Sequence, residues 1–323
     1  MTSSDPPSEP SPAAGSGGWR PPDVVVVGAA SRDLAGDDPR GWRLGGAVSY
    51  ASLTIARLGL RVGALVGADE AGSGAVELDR LREAGVDVRL VHLDSGPVFD
   101  NIETPEGRHQ IAHATSDLIP PERLPPEWAG AGAWLFGPVA GELPDTWAEV
   151  PGSPAIVALG WQGILRTVNA GEPVRRLNPM ATPLLARADL VGVSGDDLPP
   201  GTGMADLCRF LRPGSTLLMT AGDRGGIIAE VGPDRPRRLH RYPAIPAEHR
   251  VDPTGAGDVF LASVLAARTR PGLVGGRIGQ HHDLKLAAAV ASLLVEAPGL
   301  DGVPDREAVR RRLARAGSAG RVG

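Results

Sequence analysis

The sequence predicts an α/β fold in which a doubly wound, mostly parallel sheet is flanked by helices, with an additional hairpin that has one wet face. First, short apolar runs rich in β-branched residues end in glycine, as at 23–28 and 61–67, which is typical of strands buried on both faces of a parallel sheet. Second, stretches with helical spacing of apolar residues separate these runs, which implies right-handed crossovers. Third, residues 97–113 alternate between polar and apolar, as strands with one wet face do.

The first 22 residues are rich in Ser, Pro, Gly and Ala and contain almost no large apolar side chain. Burial therefore cannot offset the entropy of ordering them, and we expect residues 1–22 to form a disordered tail. The sheet is expected to start with the valine run at 23–28. The length is enough for one large α/β domain or two small ones and ample for a buried core, and we assign residues 23–323 to one domain.

The remaining elements follow from the same patterns. Helices are expected from the Gly45-Gly46 pair to Gly59, up to about Ala84, after Gly257, over 284–295 and over 305–316. Further strands are expected at 61–67, 85–88, 133–138, 155–160, 188–193 and 215–220, with a hairpin from 227–231 and 237–242.

The alternating segment 97–113 is predicted to be a hairpin around a glycine-containing turn at 105–107. His109 and His113 would share one face of it. No further metal ligand accompanies them in the sequence, so we interpret them as solvated strand residues and not as a metal site.

Composition limits the classes of function. The chain has 323 residues and a formal net charge of -5, whereas a nucleic-acid binder usually presents a basic face. With 4% aromatic and 42% hydrophobic residues, an aliphatic core is expected. The single cysteine, Cys208, excludes a disulfide framework and is interpreted as a small core residue in a helix at 205–211. We expect a cytoplasmic protein, because neither a membrane span nor a signal peptide is visible.

The stretch at 250–260 reads Arg-Val-Asp-Pro-Thr-Gly-Ala-Gly-Asp-Val-Phe. If a helix begins at about 255–257, its first N–H groups have no internal partner and carry the positive end of the helix dipole, so they can bind an anion. Asp258 would repel that anion. We interpret it either as a base that removes a proton from an attacking hydroxyl or as a first-turn carboxylate that offsets the dipole; taken alone, the two interpretations are about even.

Two motifs carry a resemblance to a known family. Residues 252–258, Asp-Pro-Thr-Gly-Ala-Gly-Asp, resemble the C-terminal signature of the ribokinase-like (PfkB) family of carbohydrate and nucleoside kinases. The family's other signature, a double glycine before a helix ending in Leu-Gly, is similar to Gly45-Gly46 followed by Leu58-Gly59. The resemblance implies a ribokinase-like fold whose lid comes from segments around 30–44 and 97–114, and a lid that family members frequently use for homodimerisation.

The resemblance also implies the substrate site. In the family, an Asp just past the first strand binds substrate hydroxyls, and Asp33 matches it, while the residues alone also allow a loop Asp that caps a turn. Gly45 and Gly46 match the double glycine beside it. The family usually has Asn where this chain has Tyr50, so a phenol replaces an amide that would bind a sugar hydroxyl.

Further matches imply the donor site. Thr220 ends a predicted strand, and the turn with Gly222, Arg224 and Gly225 resembles the family's glycine-rich turn against the nucleotide phosphates. The helix over 284–295 lies where the family packs adenine, and its Ala288 replaces a frequent Asn.

Cation sites are implied by four positions. Many members have Asn and, three positions on, Glu where this chain has Ser194 and Asp197; both can still hold a hydrated Mg²⁺ through oxygen. Asp252 and Thr254 match positions that bind a monovalent cation in the family, which implies a possible K⁺ site.

Three residues follow strands whose carboxyl ends should lie at the ligand-binding edge of the sheet. Gly137 follows the strand at 133–138, and Gln162 and Arg166 follow the strand at 155–160. Arg166 either contacts phosphate or lies on a surface loop, and we favour the surface loop.

The prediction is an ATP-dependent kinase that phosphorylates a hydroxyl of a small polyol or sugar, with Asp258 as general base and the N–H groups of Gly255, Ala256 and Gly257 as an anion hole. A Walker motif is missing, and the one lysine, Lys285, lies elsewhere, which excludes a P-loop enzyme. The middle of the chain looks most like a branch of the family that includes inositol-type kinases. The alternatives are a nucleoside kinase of the same family and a non-catalytic homologue that senses a small-molecule ligand.

Overall fold

The structure is a computed structural model that describes residues 20–104, 107–233, 236–274 and 281–319. Most of the predicted tail at 1–22, part of the predicted turn at 105–107, and part of the predicted loop at 268–283 lie outside the described residues. None of the helices in the described ranges is long and apolar enough to cross a membrane.

The strands follow the predicted order, with several short additions. They are β1 (Val24–Ala29), β2 (Arg32–Leu34), β3 (Trp42–Leu44), β4 (Val62–Ala68), β5 (Val86–His92), β6 (Val98–Thr104), β7 (Gly107–Ala114), β8 (Ala133–Phe136), β9 (Ile156–Gly160), β10 (Arg166–Thr167), β11 (Glu172–Pro173), β12 (Arg175–Arg176), β13 (Leu190–Ser194), β14 (Thr216–Thr220), β15 (Gly226–Val231) and β16 (Pro236–Tyr242).

The helices are α1 (Ala47–Arg57), α2 (Glu70–Ser73), α3 (Val76–Glu83), α4 (Pro183–Arg187), α5 (Met204–Cys208), α6 (Ala256–Thr269), α7 (His282–Leu294) and α8 (Arg306–Ala319). Most helices agree with the periodicity to within a few residues at their ends, but α4 was not predicted and the helix predicted to end near Ala84 is divided into α2 and α3.

The main sheet has nine strands in the order β16-β15-β14-β13-β9-β8-β1-β4-β5. The strands from β14 to β5 run parallel, and the hairpin of β15 and β16 adds antiparallel strands at one edge. The predicted α/β fold with a mostly parallel sheet is therefore confirmed. The strand order reverses around β1, so the carboxyl ends of the central strands form the edge at which such sheets bind ligands.

Two hydrophobic layers cover the sheet. Val24 and Val26 of β1 face a layer that includes α1, α3, α6 and α7, whereas Val25 and Val27 face a layer that includes α4 and α5. All four valines are completely buried. Because both faces of β1 are covered, the strand has the uninterrupted apolar run that the sequence shows.

The second layer corrects the expectation of an aliphatic core. Four tryptophans, at positions 128, 134, 147 and 161, are less than 2% exposed and belong to this layer. The low aromatic content concealed this, because a few large side chains concentrated on one face of a sheet can fill much of a core. Cys208 is buried in the same layer.

A five-stranded sheet in the order β11-β7-β6-β2-β3 forms the lid. It places Asp33 in strand β2, where the sequence suggested a loop. The salt bridge from Arg32 to Asp69, at 2.6 Å, joins β2 to the residue that caps α2. The lid is therefore attached to the main body beside the carboxyl ends of β1 and β4.

Candidate active site

A cavity of about 1710 Å³ lies between the lid and the carboxyl ends of the main-sheet strands. Gly160, Ser194 and Thr220, at the ends of β9, β13 and β14, line its floor, while Phe99 and Gln110 of the lid line the opposite side. The structure therefore provides a space for ligands at the edge that the fold predicts.

The first turn of α6 borders this cavity. Gly255 is the N-cap residue, and Ala256, Gly257 and Asp258 follow it. Gly255 has φ 80°, in the left-handed region that favours glycine. The N–H of Ala256 donates to the Pro253 carbonyl oxygen at 3.2 Å, so the turn presents chiefly the N–H groups of its two glycines, together with a carboxylate, to one cavity. The structure brings together the four residues for which the sequence predicted a catalytic role.

Tyr50 lies directly beneath that turn. It is 2% exposed, and a Cβ built on Gly255 would lie 2.5 Å from its Cδ1. The ring therefore packs against the backbone of the anion-hole residue, an approach that only glycine permits. Tyr50 also borders the cavity, and its assignment to the acceptor site stays a prediction.

Asp252 holds the loop before α6. Its Oδ1 accepts a hydrogen bond from the N–H of Thr254 at 2.9 Å, and its Oδ2 accepts one from the N–H of Gly299 at 2.9 Å. Thr254 lines the cavity. These contacts fix the backbone that leads into the anion-hole turn, and they leave lone pairs on the carboxylate for a cation.

Asp33 and the double glycine meet at the acceptor end of the cavity. The Ser31 hydroxyl donates to Asp33 Oδ1 at 3.0 Å, and Asp33 lines the cavity. A Cβ on Gly45 would lie 2.3 Å from Asp33 Oδ2, and Gly46, at φ 88°, would place a Cβ 2.4 Å from the Ala29 carbonyl oxygen. The two glycines thus allow α1 to start against the end of β1 and the Asp33 carboxylate.

Asp197 is half-buried in the turn that follows β13. Its Oδ1 accepts a hydrogen bond from Gln162 Nε2 at 2.9 Å, and its Oδ2 accepts one from the N–H of Ser194 in a capping box. Burial raises the pKa of Asp197, although the Gln162 hydrogen bond and the charge of Arg166 oppose that rise. Ser194 and Asp197 both line the cavity.

Arg166 is part of the cavity wall, which corrects its interpretation as a surface arginine. Its guanidinium donates to the Val139 carbonyl oxygen and, at 2.7 Å, to Gln110 Oε1. It also lies 4.9 Å from the centre of the Phe99 ring. Burial lowers the pKa of Arg166, while the carboxylates of Asp197, Glu142, Asp33 and Asp258 act against that change. The residue links the end of β9 to the lid.

Gln110 extends this link across the lid. Its Nε2 donates to Asn101 Oδ1 at 2.7 Å, and both amides line the cavity. Because Arg166 donates to the oxygen of Gln110, the amide nitrogen of Gln110 faces the oxygen of Asn101. These hydrogen bonds fix the orientation of both amides. The Asn101 amide nitrogen remains a donor for a bound acceptor.

Glu142 is a supporting residue that the sequence analysis missed. It is fully buried, and its carboxylate accepts hydrogen bonds from the N–H groups of Ala29, Val139 and Ala140 at 2.8 to 3.0 Å. It therefore ties the end of β1 to the loop whose Val139 carbonyl binds Arg166. No local signal distinguishes this Glu from others in a Pro- and Gly-containing loop.

The donor end of the cavity combines a polar turn with an apolar slot. Thr220, Gly222 and Gly225 line it, whereas Arg224 is exposed and is not among the described lining residues. Gly137, also expected near the cleft, instead packs against Ala47. The slot beyond the turn is formed by Ile245, Pro246, Ala288, Ala291 and Val295.

No group of three or more His, Cys, Asp or Glu residues that could hold a metal ion occurs among the described residues. His109 lines the cavity.

Comparisons with known proteins agree with this geometry. Residues 188–306 match the model of the pfkB family carbohydrate kinases. A fructokinase from Klebsiella pneumoniae is 26% identical over 310 residues, which cover 90% of this chain and 99% of that protein.

Solved structures show the same fold over most of the chain. A pyrophosphate-dependent kinase in the ribokinase family, complexed with a pyrophosphate analog and myo-inositol, has a TM-score of 0.69 at 19% identity and covers 89% of this chain and 99% of its own. The Arabidopsis thaliana ribokinase complexed with ribose and ATP has a TM-score of 0.64 at 20% identity and covers 91% and 99%. The chain therefore has the fold of the ribokinase-family kinases, and its residues 188–306 are similar to the pfkB family of carbohydrate kinases.

Proposed function

We propose that this protein transfers the terminal phosphoryl group of ATP to a hydroxyl of a small polyol or sugar. One observation carries the proposal: Asp258, the N–H groups at the start of α6 and the Asp33 carboxylate all border a single cavity. A base, an anion hole and a hydroxyl-binding carboxylate are the protein groups that such a transfer needs. The named substrates of the relatives, fructose in one case and myo-inositol or ribose in others, are of this class.

The chemistry follows from the α6 turn. Asp258 accepts the proton of the acceptor hydroxyl as its oxygen attacks phosphorus. The N–H groups of Gly255, Ala256 and Gly257 stabilise the negative charge on the oxygens of the transferred group. Tyr50 packs against this turn, and Asp252 accepts hydrogen bonds from the loop before it and from Gly299. The N–H donors of the turn are therefore oriented before the substrate binds. A carboxylate that only offsets the helix dipole does not need to border the cavity.

Acceptor binding is assigned to the lid end of the cavity. Asp33 accepts hydrogen bonds from acceptor hydroxyls, and Gly45 and Gly46 leave the space for the acceptor beside it. Asn101 and Gln110 offer amide groups from the lid. Such paired donors and acceptors suit a polyhydroxylated molecule better than an apolar one.

The apolar slot at the other end supports ATP as the donor. The small side chains of Ala288 and Ala291 on α7 leave room opposite Ile245 and Pro246 for a flat base, with the phosphates directed along Thr220, Gly222 and Gly225 toward α6. Pyrophosphate is a second candidate, because it is the donor named for the structural neighbour described above. Pyrophosphate would leave the slot empty, and we therefore favour ATP.

Two cations fit the residues present. Mg²⁺ would be held near Ser194 and Asp197 through water and the donor phosphates, since both residues offer oxygen ligands; when bound, it neutralises charge on the phosphates. K⁺ would be held by the oxygens of Asp252 and Thr254, next to the loop that forms the anion hole.

The direct test is turnover with Mg²⁺ and ATP on a panel of sugars, polyols and nucleosides. In the Asp258→Asn variant, turnover should fall by roughly 10²- to 10⁴-fold with an unchanged melting temperature, because only the general base is lost. Asp145→Asn, which changes an exposed carboxylate outside the cavity, serves as the control. Comparable turnover in Asp258→Asn would exclude the mechanism.

The same panel separates the alternatives. A preference for nucleosides would identify a nucleoside kinase of the same family. Substrate binding without turnover would identify a non-catalytic ligand-sensing homologue, a reading that the changes at Tyr50, Ser194 and Ala288 permit. A homodimer formed through the lid, one domain over 23–323 and a cytoplasmic location remain part of this proposal.

A further inference from the structure

A two-stranded ribbon beside the lid places two arginines opposite each other. Strands β10 and β12 pair antiparallel, with Arg166 directly across from Arg176. Side chains at opposed positions of an antiparallel pair project from the same face, and like charges there destabilise the pair. Both residues line the cavity. An anion bound between them would remove that repulsion.

Each guanidinium retains donors for such an anion. Arg166 uses Nε and Nη2 for the Val139 carbonyl and Nη1 for Gln110, so two of its five N–H groups remain. Arg176 is exposed, and its guanidinium makes no hydrogen bond or ion pair with any residue in the described part of the chain. Guanidinium forks match the geometry of carboxylate and phosphate groups.

The position of the pair indicates which molecule carries the anion. Arg166 is held by the lid, through Gln110 and Phe99. The donor phosphates are assigned to the turn at Thr220 and to the start of α6, at the other end of the cavity. The carboxylates of Asp197, Glu142, Asp33 and Asp258 already balance part of the charge of Arg166, whereas Arg176 forms no ion pair with a described residue. The unbalanced charge therefore lies on Arg176, in the ribbon beside the lid and so on the acceptor side.

We propose that Arg166 and Arg176 form an anion subsite for a carboxylate or phosphate substituent of the acceptor, on a carbon other than the one that is phosphorylated. The preferred acceptor is then a sugar acid or a sugar phosphate, and not the neutral sugar. This inference rests on the proposed function, since it names the acceptor class of the same site.

The test compares matched pairs of acceptors, gluconate against sorbitol and fructose 6-phosphate against fructose, with Mg²⁺ and ATP. In the native protein, at least one anionic acceptor should exceed its neutral counterpart in kcat/KM by about tenfold or more, the worth of one charge-assisted hydrogen bond. In Arg176→Gln this ratio should fall to within about twofold of one. Arg237→Gln is the control, because Arg237 is exposed, pairs with Glu230 at 3.9 Å and does not line the cavity.

Calorimetric titration of gluconate and fructose 6-phosphate without ATP separates the two proposals. Binding that depends on Arg176, in a protein that phosphorylates no acceptor, would support the subsite and overturn the proposed function. Phosphorylation that depends on Asp258 but favours neutral acceptors would support the function and overturn the subsite. An Arg176→Gln variant in which only the KM for ATP rises would assign the arginines to the donor, and would also overturn the subsite.

Discussion

The ring of Tyr50 occupies a position where the family usually has an amide, and it packs against Gly255. Tyr50→Ala would leave a cavity under the anion-hole turn, so we expect the free energy of unfolding to fall by about 3 to 5 kcal/mol and kcat to fall by about 100-fold as the turn loses its orientation. Tyr50→Phe keeps the ring and should keep most of both. Urea denaturation and steady-state kinetics measure the two effects. An equal loss of kcat in the two variants would show instead that the phenol oxygen acts on the substrate.

Asp197 gives the site a pH dependence in stability. Burial raises the pKa of this carboxyl, and an acid whose pKa is higher folded than unfolded stabilises the fold at pH below its unfolded pKa. That contribution is lost as the pH rises through the folded pKa. In Asp197→Asn the side chain does not ionise, so the fold does not lose this stability as the pH rises. The amide oxygen can still accept the Gln162 hydrogen bond.

We therefore expect Asp197→Asn to exceed the native protein in free energy of unfolding at pH 7, by a margin that shrinks as the pH falls toward 4. Urea denaturation at several pH values measures the margin. A margin that does not vary with pH would mean that ionisation of Asp197 is not its source. Turnover should nevertheless fall, because the carboxylate is one of the oxygens offered to Mg²⁺.

At the level of elements, the link from Arg166 through Gln110 to Asn101 joins the lid to the main sheet. Gln110→Ala removes both hydrogen bonds of this amide, and the loss of a bond to a charged partner corresponds to about a tenfold effect. We expect the KM for the acceptor to rise by about tenfold and the KM for ATP to change little, because the lid covers only the acceptor end. His113→Ala, an exposed position on the same strand, is the control. An equal rise in both KM values would indicate that the lid also orders the donor site.

The parts of the fold that could be predicted are those fixed by local patterns. The valine run of β1 and the glycine-punctuated strands after it require burial on both faces, and such runs predict a parallel sheet by themselves. The start of α6 could be predicted because Pro253 fixes one backbone angle, whereas Gly255 and Gly257 allow the backbone to approach a ligand closely.

The parts that could not be predicted depend on partners distant in sequence. The hydrogen bonds of Glu142 to Ala29 and of Arg166 to Gln110 join residues 113 and 56 positions apart, and nothing in the neighbouring sequence specifies them. The ribbon of β10 and β12 is only two residues per strand, too short to show a period. The residues alone also allowed a loop position for Asp33 for the same reason, since β2 has three residues.

For the whole molecule, the main sheet is shared by both hydrophobic layers, because alternate residues of β1 belong to one layer and to the other. If either layer loses its packing, the apolar face of the strands that it covered becomes exposed to water. The cavity lies across the ends of those strands, so a ligand bound there contacts residues supported by both layers. Binding and global stability are thereby coupled through the sheet.

We therefore expect one cooperative thermal transition that Mg²⁺ and ATP shift as a whole. A ligand at 100 times its Kd stabilises the native state by about 2.7 kcal/mol. With an unfolding entropy of about 2.1 cal/mol/K per residue, this raises the melting temperature of a domain of this size by about 4 °C. Scanning calorimetry with and without ligand measures the shift, and Asp258→Asn, which should still bind ATP, is expected to show it too. Two separate transitions, of which the ligand moves only one, would show that the layers on the two faces of the sheet unfold independently.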